Sequence, residues 1–106
     1  MVQWKRFEVD GAKDLPDWYD DDDRYYHQTI IGNLLLTVFT CCYNDLFMGW
    51  GWRIELNGNS VAEFTFRSHH HAFDTSKEAR SSAALYVQQF FPKEWERHQA
   101  GMLFPE

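Results

Sequence analysis

The stretch from Gly49 to Phe91 constrains the fold most, because it joins two alternating strands, a tight turn and an amphipathic helix without interruption. From residue 50 to 56, large apolar residues alternate with polar or small ones, which is typical of a strand with one buried face. Asn57-Gly58 suits a type I′ hairpin turn, because both central residues need a positive φ angle. The return strand alternates likewise. The predicted buried face comprises Trp50, Trp52, Ile54, Leu56, Ala62, Phe64 and Phe66.

A helix is predicted directly after this hairpin. Thr75 and Glu78 have the spacing of a capping box, in which the hydroxyl accepts a hydrogen bond from the Glu78 amide. Pro92 disfavours helical geometry in the residue before it and suits the first position of a further short helix, which we expect to end at Gly101. The side chains predicted on the inward side of the first helix are Ala79, Ala83, Tyr86, Val87 and Phe90.

Residues 25–42 are rich in β-branched and aromatic residues and are predicted to be strand. Gly32-Asn33 is either the turn between two strands, 25–31 and 34–42, or a bend in one long strand. Near residues 34–39 both faces are apolar, which indicates a central strand or one whose outer face is covered by the N-terminal arm. The segment from Cys42 to Met48 is predicted to be a connecting loop.

These patterns predict one α+β domain: a three- to four-stranded antiparallel sheet with one main helix on one face, in the order β-β-β-α, and a short C-terminal helix. We expect residues 1–24 to form an acidic-aromatic arm or loop, residues 25–91 the core, and residues 92–106 the short helix and tail. Within the first segment, Trp4, Phe7 and Val9 make either a short strand or an arm lying on the domain. One helix covers one face of a sheet. We therefore expect the opposite face, with Arg53, Glu55 and Glu63, to meet water or a partner, and Glu63 to pair with Arg53 across it.

Composition points to a protein partner. The formal net charge of −6 repels nucleic acid and anionic membranes and favours a partner with a basic surface. Five Trp, five Tyr and nine Phe exceed what a core of this size needs, so part of the aromatic surface is expected to face the partner.

The acidic-aromatic run at residues 17–23 is the most unusual stretch of the sequence. It is open to three interpretations: a solvated loop, a contact surface for a basic groove, or a cation site, although it lacks the later Gly and Glu of a calcium-binding loop. We take the second as the working hypothesis. The candidate partner-binding residues are Asp17, Trp18, Tyr19, Asp20, Asp21, Asp22, Asp23, Arg53, Glu55 and Glu63.

No stretch of the sequence predicts catalysis, a metal or a cofactor. Phosphate-binding glycine loops and the common catalytic motifs are missing, and His69–His71 lack the spacing of zinc ligands. Cys41 and Cys42 are adjacent, which favours reduced thiols in a cytoplasmic protein. We also find no signal peptide and no apolar run long enough to span a membrane. Two alternatives remain: an assembly subunit that homo-oligomerises through its sheet edge or apolar tail, and a small enzyme or metal-binding protein.

Two resemblances follow. In outline, residues 28–90 resemble the double-stranded-RNA-binding fold, whose last helix begins with basic residues; here that position offers Lys77 and Arg80 alone, so RNA binding is not expected. The length, the acidic balance and the run at 17–23 resemble small anti-defence proteins encoded by phages and mobile elements, such as anti-CRISPR proteins. That resemblance implies an inhibitor in the host cytoplasm that covers a basic nucleic-acid site, with Asp20–Asp23 in the place of phosphates.

Overall fold

The structure, a computed structural model, describes residues 2–8, 25–43, 46–65 and 72–103. The strands form one antiparallel sheet in the order of the sequence, so each strand pairs with its neighbours in the chain. The α+β class is confirmed, whereas the predicted number of three to four strands is too low. The elements are β1 (Lys5–Glu8), β2 (Tyr25–Ile31), β3 (Leu34–Tyr43), β4 (Leu46–Leu56), β5 (Asn59–Phe64), α1 (Ser76–Phe90) and α2 (Pro92–Leu103).

The extra strand comes from the predicted arm, since Lys5–Glu8 pairs with the first residues of β2 and forms one edge of the sheet. β2 and β3 are separate strands, because Ile31 lies opposite Leu34 across a two-residue turn in which Gly32 has a φ angle of 62°. The single bent strand is therefore wrong. Most of the predicted loop from Cys42 to Met48 also belongs to strands, because pairing between β3 and β4 satisfies the backbone groups on both sides of residues 44–45.

The turn between β4 and β5 has the predicted type I′ geometry, with φ angles of 52° at Asn57 and 83° at Gly58. β5 ends at Phe64, opposite Trp52. Two positions further along β4, Trp50 pairs with Phe73 instead: the Trp50 amide donates to the Phe73 carbonyl at 2.7 Å, and the Phe73 amide donates to the Trp50 carbonyl at 2.9 Å. Phe66, predicted on the return strand, lies outside the described residues.

The core lies between the sheet and the helices. We call this side of the sheet its inner face, and both tryptophans of β4 lie there, each 2% exposed. On α1, Ala79, Ala83 and Val87 are fully buried, and the small alanines let the helix approach the sheet closely. The predicted cap is present, since the Thr75 hydroxyl accepts a hydrogen bond from the Glu78 amide at 3.2 Å.

The end of α1 differs from the prediction. Phe90 was expected to face inward, but its side chain is 61% exposed, while Phe91 packs against the core. The backbone turns at Phe91, which has a non-helical φ angle of −131° and donates its amide hydrogen bond to the Val87 carbonyl at 2.8 Å. Because of this turn, the Phe91 ring points toward the core.

α2 begins at Pro92, as predicted, but continues past Gly101. Its Trp95 packs against the core beside His98. The helix also holds the β2–β3 turn, because the Asn33 amide donates to the Glu94 carboxylate (Oε2) at 2.7 Å. The helix is thereby attached to the sheet by a specific polar contact.

Replacing Glu94 with alanine should lower the free energy of unfolding by about 1 kcal/mol, the usual net value of a hydrogen bond. Glu96→Ala is the matched control, since Glu96 is exposed on the same helix, and its effect should stay within about 0.5 kcal/mol. Urea denaturation followed by circular dichroism measures both. Equal losses in the two variants would show that Glu94 acts through helix charge and not through the turn.

Candidate functional site

The outer face of the sheet is the surface opposite the inner face. α1 packs on β3 and β4 and α2 packs on β2, all on the inner side, so neither described helix covers the outer face. Its apolar side chains are consequently accessible: Ile30 is 64% exposed and Phe7 is 38% exposed. The strand register assigns to the outer face Lys5, Phe7, Tyr26, Gln28, Ile30, Leu35, Thr37, Phe39, Arg53, Glu55 and Glu63.

Aromatic rings gather at one end of this face, and we call Phe7, Tyr26, Phe39 and Arg53 the aromatic end. The rings of Phe7 and Tyr26 stack, with centroids 5.3 Å apart and planes inclined by 20°. On the next strands, the Arg53 guanidinium carbon lies 5.5 Å from the centre of the Phe39 ring, within reach of a cation–π contact. Large, flat rings beside a cation form a surface suited to burial against another protein.

The acidic run at residues 17–23 lies outside the described residues, but the strands that flank it are described. Residues 9–24 connect Glu8 to Tyr25, which lie directly opposite each other in the β1–β2 pair. This connection contains seven aspartates against Lys13 and Arg24, a formal charge of −5 out of the −6 of the chain. Most of the net charge therefore belongs to a segment whose two ends are attached beside the aromatic end.

The other three predicted site residues lie together on the outer face. Arg53 is opposite Glu63 in the β4–β5 register, as predicted, but its ion pair is with Glu55, with 3.9 Å between Nη1 and Oε1. The two side chains are 46% and 25% exposed, so the pair adds little stability. These groups add polarity to the face, but they do not build a charged pocket.

A pocket of about 650 Å³ opens at the β1 edge of the sheet, between Phe7 and the Gly32-Asn33 turn. Side chains from β1, β2 and β3 and His98 of α2 line it. The sequence did not predict this pocket: the apolar residues on both sides of β3 indicated a central strand or one covered by the N-terminal arm. The contributions of Lys5 and His98 depend on tertiary structure.

Three further observations concern metal binding, membrane spanning and similarity to known proteins. Within residues 2–8, 25–43, 46–65 and 72–103, no three His, Cys, Asp or Glu side chains converge as metal ligands would. Neither described helix has the length and apolar character needed to cross a lipid bilayer. A scan against protein-family models finds no match, and searches of curated proteins and of solved structures find none either.

Proposed function

We propose that this protein is a non-enzymatic binding module that holds a basic protein partner between the acidic run at residues 17–23 and the aromatic end of the sheet. The supporting observation is the coincidence of two features at one end of the outer face. The exposed ring of Phe7 and the half-buried rings of Tyr26 and Phe39 lie there, and the segment with a formal charge of −5 is attached there by Glu8 and Tyr25.

The two features have complementary roles in binding. Aromatic rings are frequent anchors of protein interfaces, because they bury a large area with few rotatable bonds. Carboxylates attract a basic partner from a distance and orient it before contact. In the part of the chain that the structure describes, seven basic residues balance seven acidic ones. The attraction must therefore come mainly from the segment between β1 and β2.

A nucleic-acid-binding site is the kind of basic surface that fits this arrangement best. Such sites place arginine and lysine side chains where phosphates bind, and the carboxylates of Asp20–Asp23 carry negative charge at short intervals along the chain. Occupying that site would make the protein an inhibitor of a nucleic-acid-binding effector, as its resemblance to anti-defence proteins suggests.

The test uses a synthetic peptide of alternating arginine and leucine as the basic probe, with a glutamate–leucine peptide of the same length for comparison. Fluorescence anisotropy at 50 and 300 mM NaCl should show binding of the arginine peptide that weakens at the higher salt, since screening shortens the reach of the carboxylates. Replacing Asp20–Asp23 with serine should weaken binding about tenfold at low salt and remove most of the salt dependence.

Phe39→Ala separates the aromatic contribution from the charge. This variant should bind the arginine peptide more weakly at both salt concentrations, because it loses apolar contact area. Phe90→Ala is the matched control, since Phe90 is 61% exposed on α1, away from the outer face, and its affinity should equal that of the unchanged protein. Equal binding of the two peptides, or no effect of the four serines, would refute the proposal.

A further inference from the structure

The pocket near the Gly32-Asn33 turn exists because β1 is shorter than β2. Pairing between them stops at Lys5 opposite Gln28, while β2 continues to Ile31. Before Lys5 the chain is held by a side chain, since the Thr29 hydroxyl donates to the Gln3 carbonyl at 2.7 Å. The sheet edge therefore opens beside Ile30 and leaves a space of about 650 Å³. This volume lies within the usual range for small-molecule sites in proteins, roughly 300–1,000 Å³.

The pocket is lined by both apolar and polar side chains. Ile30 and Leu35 lie opposite each other in the β2–β3 register and supply an apolar wall, and Ile30 is 64% exposed. Exposed aliphatic surface of this kind gains free energy when a hydrocarbon covers it, by about 25 cal/mol for each Å² removed from water. The wall therefore favours a ligand with an extended apolar body.

The fixed charge in the described lining of the pocket is positive. Among the nine described residues that line the pocket, Lys5 alone has a fixed charge, and none of the nine is acidic. This contrasts with the formal net charge of −6 for the whole chain. Gln3, Gln28 and Thr29 add neutral polar groups. The His98 Nε2 atom is buried and has no hydrogen-bond partner in the part of the chain that the structure describes. A single negative head group is the charge that complements this lining.

From the volume, the apolar wall and the lone cation, we infer that the pocket binds an amphipathic carboxylate, with its hydrocarbon body against Ile30 and Leu35 and its head group at Lys5. This binding goes beyond the proposed partner binding, since it uses the sheet edge beside Ile30 and the opposite charge, although Phe7 borders both sites.

Decanoate is the probe, and 1-decanol is the matched neutral ligand with the same hydrocarbon chain. Isothermal titration calorimetry should give a single site that binds decanoate more tightly than decanol by up to about fivefold, the upper end of the range for one exposed ion pair. Backbone amide NMR spectra recorded during the titration should shift first at Lys5, Gln28 and Ile30. Decanoate that fails to bind, or that shifts amides elsewhere, overturns the inference.

Lys5→Met tests the head group and should reduce the affinity for decanoate to that for decanol. Lys77→Met is the control, because it removes the same charge from α1, outside the pocket, and should leave the preference intact. Ile30→Asn should weaken both ligands, since it removes part of the wall. Equal affinities of the Lys5→Met and Lys77→Met proteins for decanoate would rule out Lys5 as the head-group site. Phe39→Ala should bind decanoate normally, so failure of this inference is distinguishable from failure of the proposed partner binding.

Discussion

Replacing Trp50 with alanine is expected to lower the free energy of unfolding by about 3–5 kcal/mol, the range found for large aromatic side chains removed from protein cores. Trp50 is 2% exposed and lies on the inner face. Its ring lies 5.8 Å from that of His27, centre to centre. Truncation leaves a cavity between sheet and helix that the surrounding strands cannot close. Urea denaturation followed by circular dichroism measures the loss without relying on tryptophan fluorescence.

Phe90→Ala is the control for this measurement, since it also removes an aromatic ring but from a side chain that is 61% exposed. Its effect should remain below about 1 kcal/mol, as is usual for surface substitutions. A loss at Trp50 no larger than the loss at Phe90 would contradict the placement of Trp50 in the core.

Replacing Gly49 with alanine should lower the free energy of unfolding by about 2–5 kcal/mol, for two reasons that add. Gly49 has a φ angle of 108°, which costs an alanine about 1–2 kcal/mol. The added methyl group would also lie 2.7 Å from the Phe73 carbonyl oxygen and 2.8 Å from the Ala72 side chain. That carbonyl accepts the hydrogen bond from the Trp50 amide, so relieving the clash would disturb the bridge that returns the chain to the sheet.

Gly58→Ala measures the cost of the positive φ angle alone. Gly58 also has a positive φ angle, 83°, but a methyl group added there meets nothing within 4 Å. We expect a loss of about 1–2 kcal/mol from backbone strain alone. If both variants lose the same stability in urea denaturation, the close approach of residues 72–73 to Gly49 contributes nothing, and the predicted excess at Gly49 is wrong.

The two proposed sites bind through different interactions, so added salt should affect their affinities differently. Partner binding at the aromatic end depends on carboxylates of the connection between β1 and β2, so added salt should weaken it. Binding in the pocket depends mainly on covering apolar surface, with one ion pair at Lys5, so its salt dependence should be small. Measuring both at two salt concentrations separates them in a single preparation.

Local structure in this protein could be predicted from the sequence. The type I′ turn at Asn57-Gly58 depends on the φ angles of two adjacent residues. The cap at Thr75 depends on a hydrogen bond to a residue three positions further along the chain. The buried face of β4 follows from alternation alone, because a strand turns successive side chains to opposite sides. The acidic charge and the surplus of aromatic residues are likewise properties of composition.

The tertiary structure decided which residues distant in the sequence contact each other. The sequence allowed a short strand near Phe7 but did not indicate that Lys5–Glu8 pairs with β2. It also carries no local signal that Phe73 takes the place opposite Trp50, or that Glu94 holds the Asn33 amide. Each of these contacts joins residues far apart in the chain. Their formation depends on which backbone groups are left without partners after the local elements have formed, and on which surfaces fit together. The pocket beside Ile30 has the same origin, since it exists only because two strands of unequal length are paired.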